Sequence, residues 1–197
     1  MFSELIEKRR SIYNLGKSEV LSEDEIIKLI ENSIKQSPSA FNSQSPRAVI
    51  LFGKHHEKVW NIVLDTLKAM IPEEAFKNTQ IKVDNCFKSG FGTVLFFEDD
   101  DTTKKLQEQF PAYAQNFPTF AEHANAIAQF AVWTALAEKK IGATLQHYNP
   151  IIDEAVKKEW KLPESWRLIA QMPFGSIEKS PEAKEFMEIG KRVKNFR

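Results

Sequence analysis

Two arginines and a hydroxyl stand in a row at Arg9-Arg10-Ser11, directly behind a short helical pattern of Phe2, Leu5 and Ile6. Guanidinium groups bind phosphate bidentately, and charge-assisted hydrogen bonds contribute roughly 1.5–3 kcal/mol each. The tripeptide therefore suits a phosphate. A basic pair at a helix C-terminus is also favoured by the macrodipole, and on these residues alone both readings stand. A second unusual stretch, "SPSAFNSQSPRAVILF" from Ser37 to Phe52, sets a polar loop directly before an apolar run. Pro38 and Pro46 stiffen it, while Ser39, Ala40, Asn42 and Gln44 present backbone and neutral side-chain groups suited to a polyhydroxylated chain or the edge of a heterocycle. Capping of the neighbouring helix and strand is the other use of such groups. A basic cluster closes the chain, with Lys191, Arg192, Lys194 and Arg197 in "GKRVKNFR". It reads either as a solvated tail or as the complement of a phosphate site begun by Arg9 and Arg10.

Other side-chain chemistries find little support. His55-His56 lack a Cys/His partner at zinc spacing and read as surface histidines; His123 sits on a helix without the H-E-x-x-H pattern. Asp99-Asp100-Asp101 lack the alternating spacing of a calcium loop. Cys86 has no basic group nearer in sequence than Lys82 and Lys88, so nothing nominates it as a nucleophile. No serine occupies a G-x-S-x-G elbow, no G-x-G-x-x-G follows a strand, and no P-loop occurs. Chemistry supplied by a cofactor is thus the stronger expectation.

The composition agrees. Lys+Arg and Asp+Glu both count 27, leaving no global field to attract nucleic acid or an acidic membrane surface. The lone cysteine excludes an intrachain disulfide and fits a reducing compartment. The N-terminal stretch has charges every few residues and no apolar h-region, so a cytoplasmic protein is expected. At 197 residues a single domain over the whole chain is expected, and fifteen phenylalanines with four tryptophans supply aromatic surface for a core, a flat-ligand pocket or a subunit interface.

The elements that would position these groups follow from pattern. Ser22 and Glu25 form a capping box before Ile26, Leu29, Ile30 and Ile34, and that helix must stop at Pro38. Ala48–Phe52 and Thr93–Glu98 read as buried strands, with helices expected at Val59–Leu67 and Glu73–Ser89 and a turn with a helix cap at Asp99–Asp101. The longest helix is expected from Thr119 to Lys140, apolar around much of its circumference and closed by Gly142. Then come a short strand "ATLQHY", a helix started by Pro150, a strand "WRLIAQMPFG" and an extended tail. Irregular alternation of helices and strands favours an α+β sheet.

"KRRSIYNLG", "SPSAFNSQSPRAV", "GATLQHYNP", "AQMPFG" and "RVKNF", in that order along essentially the whole chain, resemble the FMN-dependent nitroreductases. More narrowly, the sequence resembles the subgroup of small nitroreductases named for a link to fatty-acid repression. The resemblance implies a mostly antiparallel sheet flanked by helices in an intertwined homodimer, with FMN sites at the dimer interface. It implies that Arg9, Arg10 and Ser11 hold the ribityl phosphate region, joined by Arg192 and by Lys194 or Lys191 from the tail; that Pro38, Ser39, Ala40, Asn42 and Gln44 reach the flavin of the partner; and that Leu145, Gln146 and His147 pass beside the ring. Tyr13 departs from the pattern, because many members carry lysine there. The implied activity is NAD(P)H-dependent reduction of nitroaromatics, quinones or aromatic N-oxides by a ping-pong scheme, with no catalytic side chain required. Phe41, Phe117, Phe120 and Tyr148 are candidates for the stacking slot. An FMN-binding sensor in lipid or stress regulation, and a binding protein without flavin, are the competing expectations.

Overall fold

The computed structural model describes all 197 residues. Helix α1 (Phe2–Lys8) leads into a two-residue strand, β1 (Leu15–Gly16), too short to leave a pattern in the sequence. The capping box forms as expected: Ser22 Oγ accepts from the Glu25 amide at 3.4 Å and Glu25 Oε2 accepts from the Ser22 amide at 2.9 Å. Helix α2 (Glu23–Gln36) follows and ends one residue before the Ser37-Pro38 pair. Next come a 3-10 turn (Ala40–Asn42), β2 (Pro46–Phe52), α3 (Gly53–Met70), α4 (Glu73–Cys86), β3 (Gly92–Asp99) and α5 (Asp100–Gln109). Helix α6 (Phe117–Glu138), β4 (Gly142–Ala143), α7 (Asp153–Trp160) and β5 (Trp166–Ile177) complete the set. No helix is long and apolar enough to cross a membrane.

The strands run β1-β5-β3-β2, every pair antiparallel, with β4 also pairing to β5. This is the expected α+β fold with an antiparallel sheet flanked by helices. The outer edge of β2 has no strand partner within the chain. Residues 94–97 of β3 are apolar without a break because helices cover both faces of the sheet. Leu95 and Phe97 join Trp60, Val63, Val83, Phe87 and Ile152 beneath α3, α4 and α7, whereas Val94 and Phe96 join Ile26, Ile30, Val132 and Leu136 beneath α2 and α6.

Three local expectations are corrected. The run Ala143–Tyr148 is not a strand throughout: only Gly142 and Ala143 pair with β5, followed by a lone bridge from Gln146 to Gln171. The Thr144 amide donates to Pro173 O at 3.2 Å, but proline has no N–H to return the bond, so the ladder breaks there. Pro150 lies in the turn ahead of α7 rather than in its first turn, and accepts from the Asp153 amide at 3.2 Å. His56 is not a surface histidine. Because α3 begins at Gly53, immediately after β2, its first turn carries His56 into the core, where it is 1% exposed while His55 stays outside.

Candidate functional site

The Arg9-Arg10-Ser11 tripeptide leaves α1 in extended conformation and is tied to the end of the sheet: Ser11 bridges Ala143, and the Ile12 amide donates to Ala143 O at 2.9 Å. This fixes one wall of a cavity of about 450 Å³, formed by Arg9–Asn14 and closed opposite by Lys179–Lys184. Arg10 Nη2 donates to Glu182 O at 2.8 Å, which joins the two walls. The Arg9 guanidinium lies 4.3 Å above the Trp133 ring and 5.9 Å from that of Phe130, while its buried Nε has no protein partner. Burial, and secondarily the neighbouring Arg10, draw the Arg9 pKa below its ordinary value. Four cations and the Ser11 hydroxyl therefore face a cavity containing one carboxylate, Glu182. Such a donor set suits a dianionic phosphate.

Lys191, Arg192 and Lys194 do not line this cavity. They are exposed, and Lys191 Nζ lies 4.0 Å from Glu188. Lys179 and Lys184 take that place within one chain, because β5 ends at Ile177 opposite Leu15 and the Glu178 amide donates to Asn14 O at 3.0 Å. The chain therefore passes Arg9–Asn14 at residues 178–184 and has moved on by 191. Finding Lys179 and Lys184 from sequence would have required knowing that β1 exists.

The polar loop is built on left-handed backbone: φ is 57° at Phe41, 51° at Asn42 and 48° at Gln44. Ser39 Oγ accepts from the Gln44 amide at 2.9 Å, closing the turn, while Asn42 and Gln44 remain exposed. Pro38, Ser39 and Ala40 border a cavity of about 170 Å³ with Phe120, His123 and Ile127 of α6. Phe41 stacks against Phe110 at 4.9 Å, Phe117 at 5.2 Å and Tyr113 at 6.0 Å, so two further slot candidates gather near it, Phe117 directly and Phe120 through Phe117. Tyr148 does not join them; it packs on Trp60 and Phe87 in the opposite core.

The arginine cavity and the loop cavity have no residue in common within one chain. Leu145, Gln146 and His147 border neither. Gln146 exchanges backbone hydrogen bonds with Gln171 at 2.7 and 2.9 Å, Leu145 packs on the core beneath α6, and His147 is exposed.

A model of the nitroreductase family matches residues 6–176. Two yeast (Saccharomyces cerevisiae) proteins, HBN1 and the nitroreductase FRM2, are 39% and 38% identical over 91% and 92% of this chain and 90% and 91% of their own. The nitroreductase CinD from Lactococcus lactis is 48% identical, with both chains fully covered and a TM-score of 0.93, in a structure solved in complex with nicotinic acid. Another CinD structure, with 4-nitrophenol, gives 47% identity and a TM-score of 0.91 over both full chains.

Proposed function

The chain belongs to the nitroreductase family, and on that premise we propose that it is an FMN-dependent oxidoreductase that takes reducing equivalents from NAD(P)H and delivers them to flat, electron-poor aromatics such as nitroaromatics, quinones and N-oxides. The observation that carries the reading is the cavity holding Arg9, Arg10 and Ser11. In it a stacked guanidinium with an unpartnered Nε and three further cations await an anion. These residues would hold the phosphate of FMN, with Lys179 and Lys184 opposite. Asn42, Gln44 and the backbone of Ser39 and Ala40 would meet the polar edge of the ring, and Leu145–His147 would flank it. FMN held by these residues would supply the redox chemistry, hydride transfer between NAD(P)H and the acceptor. The chain's own tasks are to neutralise the phosphate, orient the ring and offer the aromatic wall of Phe41, Phe110 and Phe117 to an acceptor. The flat aromatics bound by CinD fit a slot of that kind.

The reading includes a homodimer. In one chain the phosphate-binding half and the ring-binding half do not share a cavity, so a complete site requires the loop of a second copy. The unpaired outer edge of β2 and the exposed Phe186, Met187, Ile189, Val193 and Phe196 of the tail are surfaces that an intertwined partner would cover.

Micromolar to nanomolar FMN retention needs about −8 to −12 kcal/mol, within reach of several phosphate contacts and a buried ring after ordering costs. The test is the visible spectrum of the purified protein, with and without Arg9→Ala/Arg10→Ala. The expected result is about one FMN per chain, bleached by NADH or NADPH under argon, in the wild type and none after dialysis of the double variant. A double variant that stays yellow sinks the phosphate assignment, and a wild type that takes up no FMN sinks the function.

A further inference from the structure

At the end of β3 two neighbouring carboxylates point to opposite sides of the sheet. Asp99 faces outward and accepts from Arg47 Nη2 at 2.8 Å and Thr102 Oγ1 at 3.0 Å. Glu98 faces inward and is wholly buried. Its Oε2 accepts from Asn125 Nδ2 of α6 at 3.2 Å; its Oε1 has no partner. The Asn125 amide also donates to Phe97 O at 2.8 Å, and its Oδ1 accepts from Gln129 Nε2 at 2.8 Å. Glutamate is rarely buried completely without a cation, and an apolar side chain would fill this space at lower cost. What the carboxyl adds is a polar anchor between β3 and α6.

The polar loop runs into the strand beside this anchor. Glu98 is in register with Pro46, the Asp99 amide donates to Ser45 O at 3.2 Å, and Ser45 is itself 1% exposed. Burial pushes the Glu98 carboxyl above the usual range. Immediately upstream lie the left-handed Phe41, Asn42 and Gln44. Left-handed backbone is unfavourable for phenylalanine and glutamine, so the loop keeps this shape only while its ends are fixed. Arg47 and Asp99 clamp its end from outside, and Glu98 ties the strand paired with that end to the helix whose His123 and Ile127 border the loop cavity.

We infer that Glu98 is a positioning residue: through Asn125 it fixes α6 against the strand pair at the end of the loop Pro38–Pro46, holds that loop in its left-handed form, and thereby sets flavin affinity without touching the flavin. The inference rests on the FMN reading given above for that loop.

The experiment compares the full-length wild type, Glu98→Ala and Glu98→Gln by FMN titration of the apoprotein and by amide hydrogen exchange of residues 39–45 against α3. Loss of an anchoring bond to a carboxyl corresponds to roughly a tenfold to hundredfold effect. Glu98→Ala should weaken FMN binding and quicken loop exchange by factors in that range, leaving α3 unchanged. Glu98→Gln, which keeps an oxygen for Asn125, should return both to within about threefold of wild type. If Glu98→Ala does not fold, Asn125→Ala takes its place, with an expected weakening of about threefold to tenfold. Wild-type affinity in the alanine variant, or lost affinity with unchanged loop exchange, overturns the inference. A wild type that binds no FMN instead overturns the flavin reading, and loop exchange in Glu98→Ala still decides whether Glu98 anchors the loop.

Discussion

The two faces of the sheet solve the problem of buried polar groups differently. Beneath α3, Thr93 Oγ1 accepts from Trp60 Nε1 at 3.0 Å and meets His56 Nδ1 at 2.8 Å, while His56 Nε2 reaches Lys88 O at 3.2 Å. One arrangement satisfies all three groups: a neutral imidazole protonated at Nε2, accepting the Thr93 hydroxyl proton at Nδ1. On the side of α6 more is left open. Arg9 Nε, Glu98 Oε1, Trp133 Nε1 and Thr134 Oγ1 are buried without partners, against only Asp99 Oδ1 and Asp153 Oδ1 on the other side, and Ile127 and Phe130 are more than a third exposed. Closed, satisfied packing marks scaffold, whereas unfilled valences and uncovered apolar surface collect where a ligand and a second subunit would complete the molecule.

The contrast can be tested by breaking each side in turn. Trp60→Ala removes a fully buried ring and its hydrogen bond, and should lower unfolding free energy by about 3–5 kcal/mol in a urea titration, without changing FMN affinity in the folded fraction. A loss of affinity comparable to that of the arginine variants would erase the distinction between the faces. His56 gives the next largest effect. Burial pushes its pKa down to about 4, so the unfolded chain binds the extra proton first as pH falls below its ordinary value of about 6.5. The stability that depends on neutral His56 is therefore present above about pH 6.5 and is lost progressively toward pH 4, on the order of 3 kcal/mol in all. Subtracting the pH–stability curve of His56→Asn should isolate this slope; identical curves would contradict the buried network.

On the open side, Arg47→Ala breaks a partly buried ion pair and should destabilise by about 1–2 kcal/mol, accelerating exchange in residues 39–45 more than in α3. Uniform acceleration would show that the outer clamp is not local. Ile127→Glu should have the smallest effect on the fold, about 0.5 kcal/mol or less for the monomer, because the side chain is already exposed. It should nevertheless shift the mass measured by light scattering from dimer to monomer. An unchanged dimer would remove this part of α6 from the interface.

The amino-acid sequence by itself determined what short-range physics controls. The Ser22–Glu25 box and Pro38 bounded α2, apolar runs marked β2, β3 and β5, and the alanine-rich stretch gave α6, because capping, ring closure at proline and strand or helix period act within a few residues. Arg9, Arg10 and the polar loop were legible for the same reason, as local concentrations of one chemistry. Only the tertiary structure decided which distant groups meet. The short β1 brought Lys179 and Lys184 of the same chain to the arginines. The tight junction of β2 with α3 turned His56 inward, Pro173 interrupted the β4 ladder, and β3 carried Glu98 to Asn125 of α6. Each of these depends on strand register and helix phase between segments far apart in the chain, where a one-residue shift reverses the face a side chain occupies, and no local pattern records that choice.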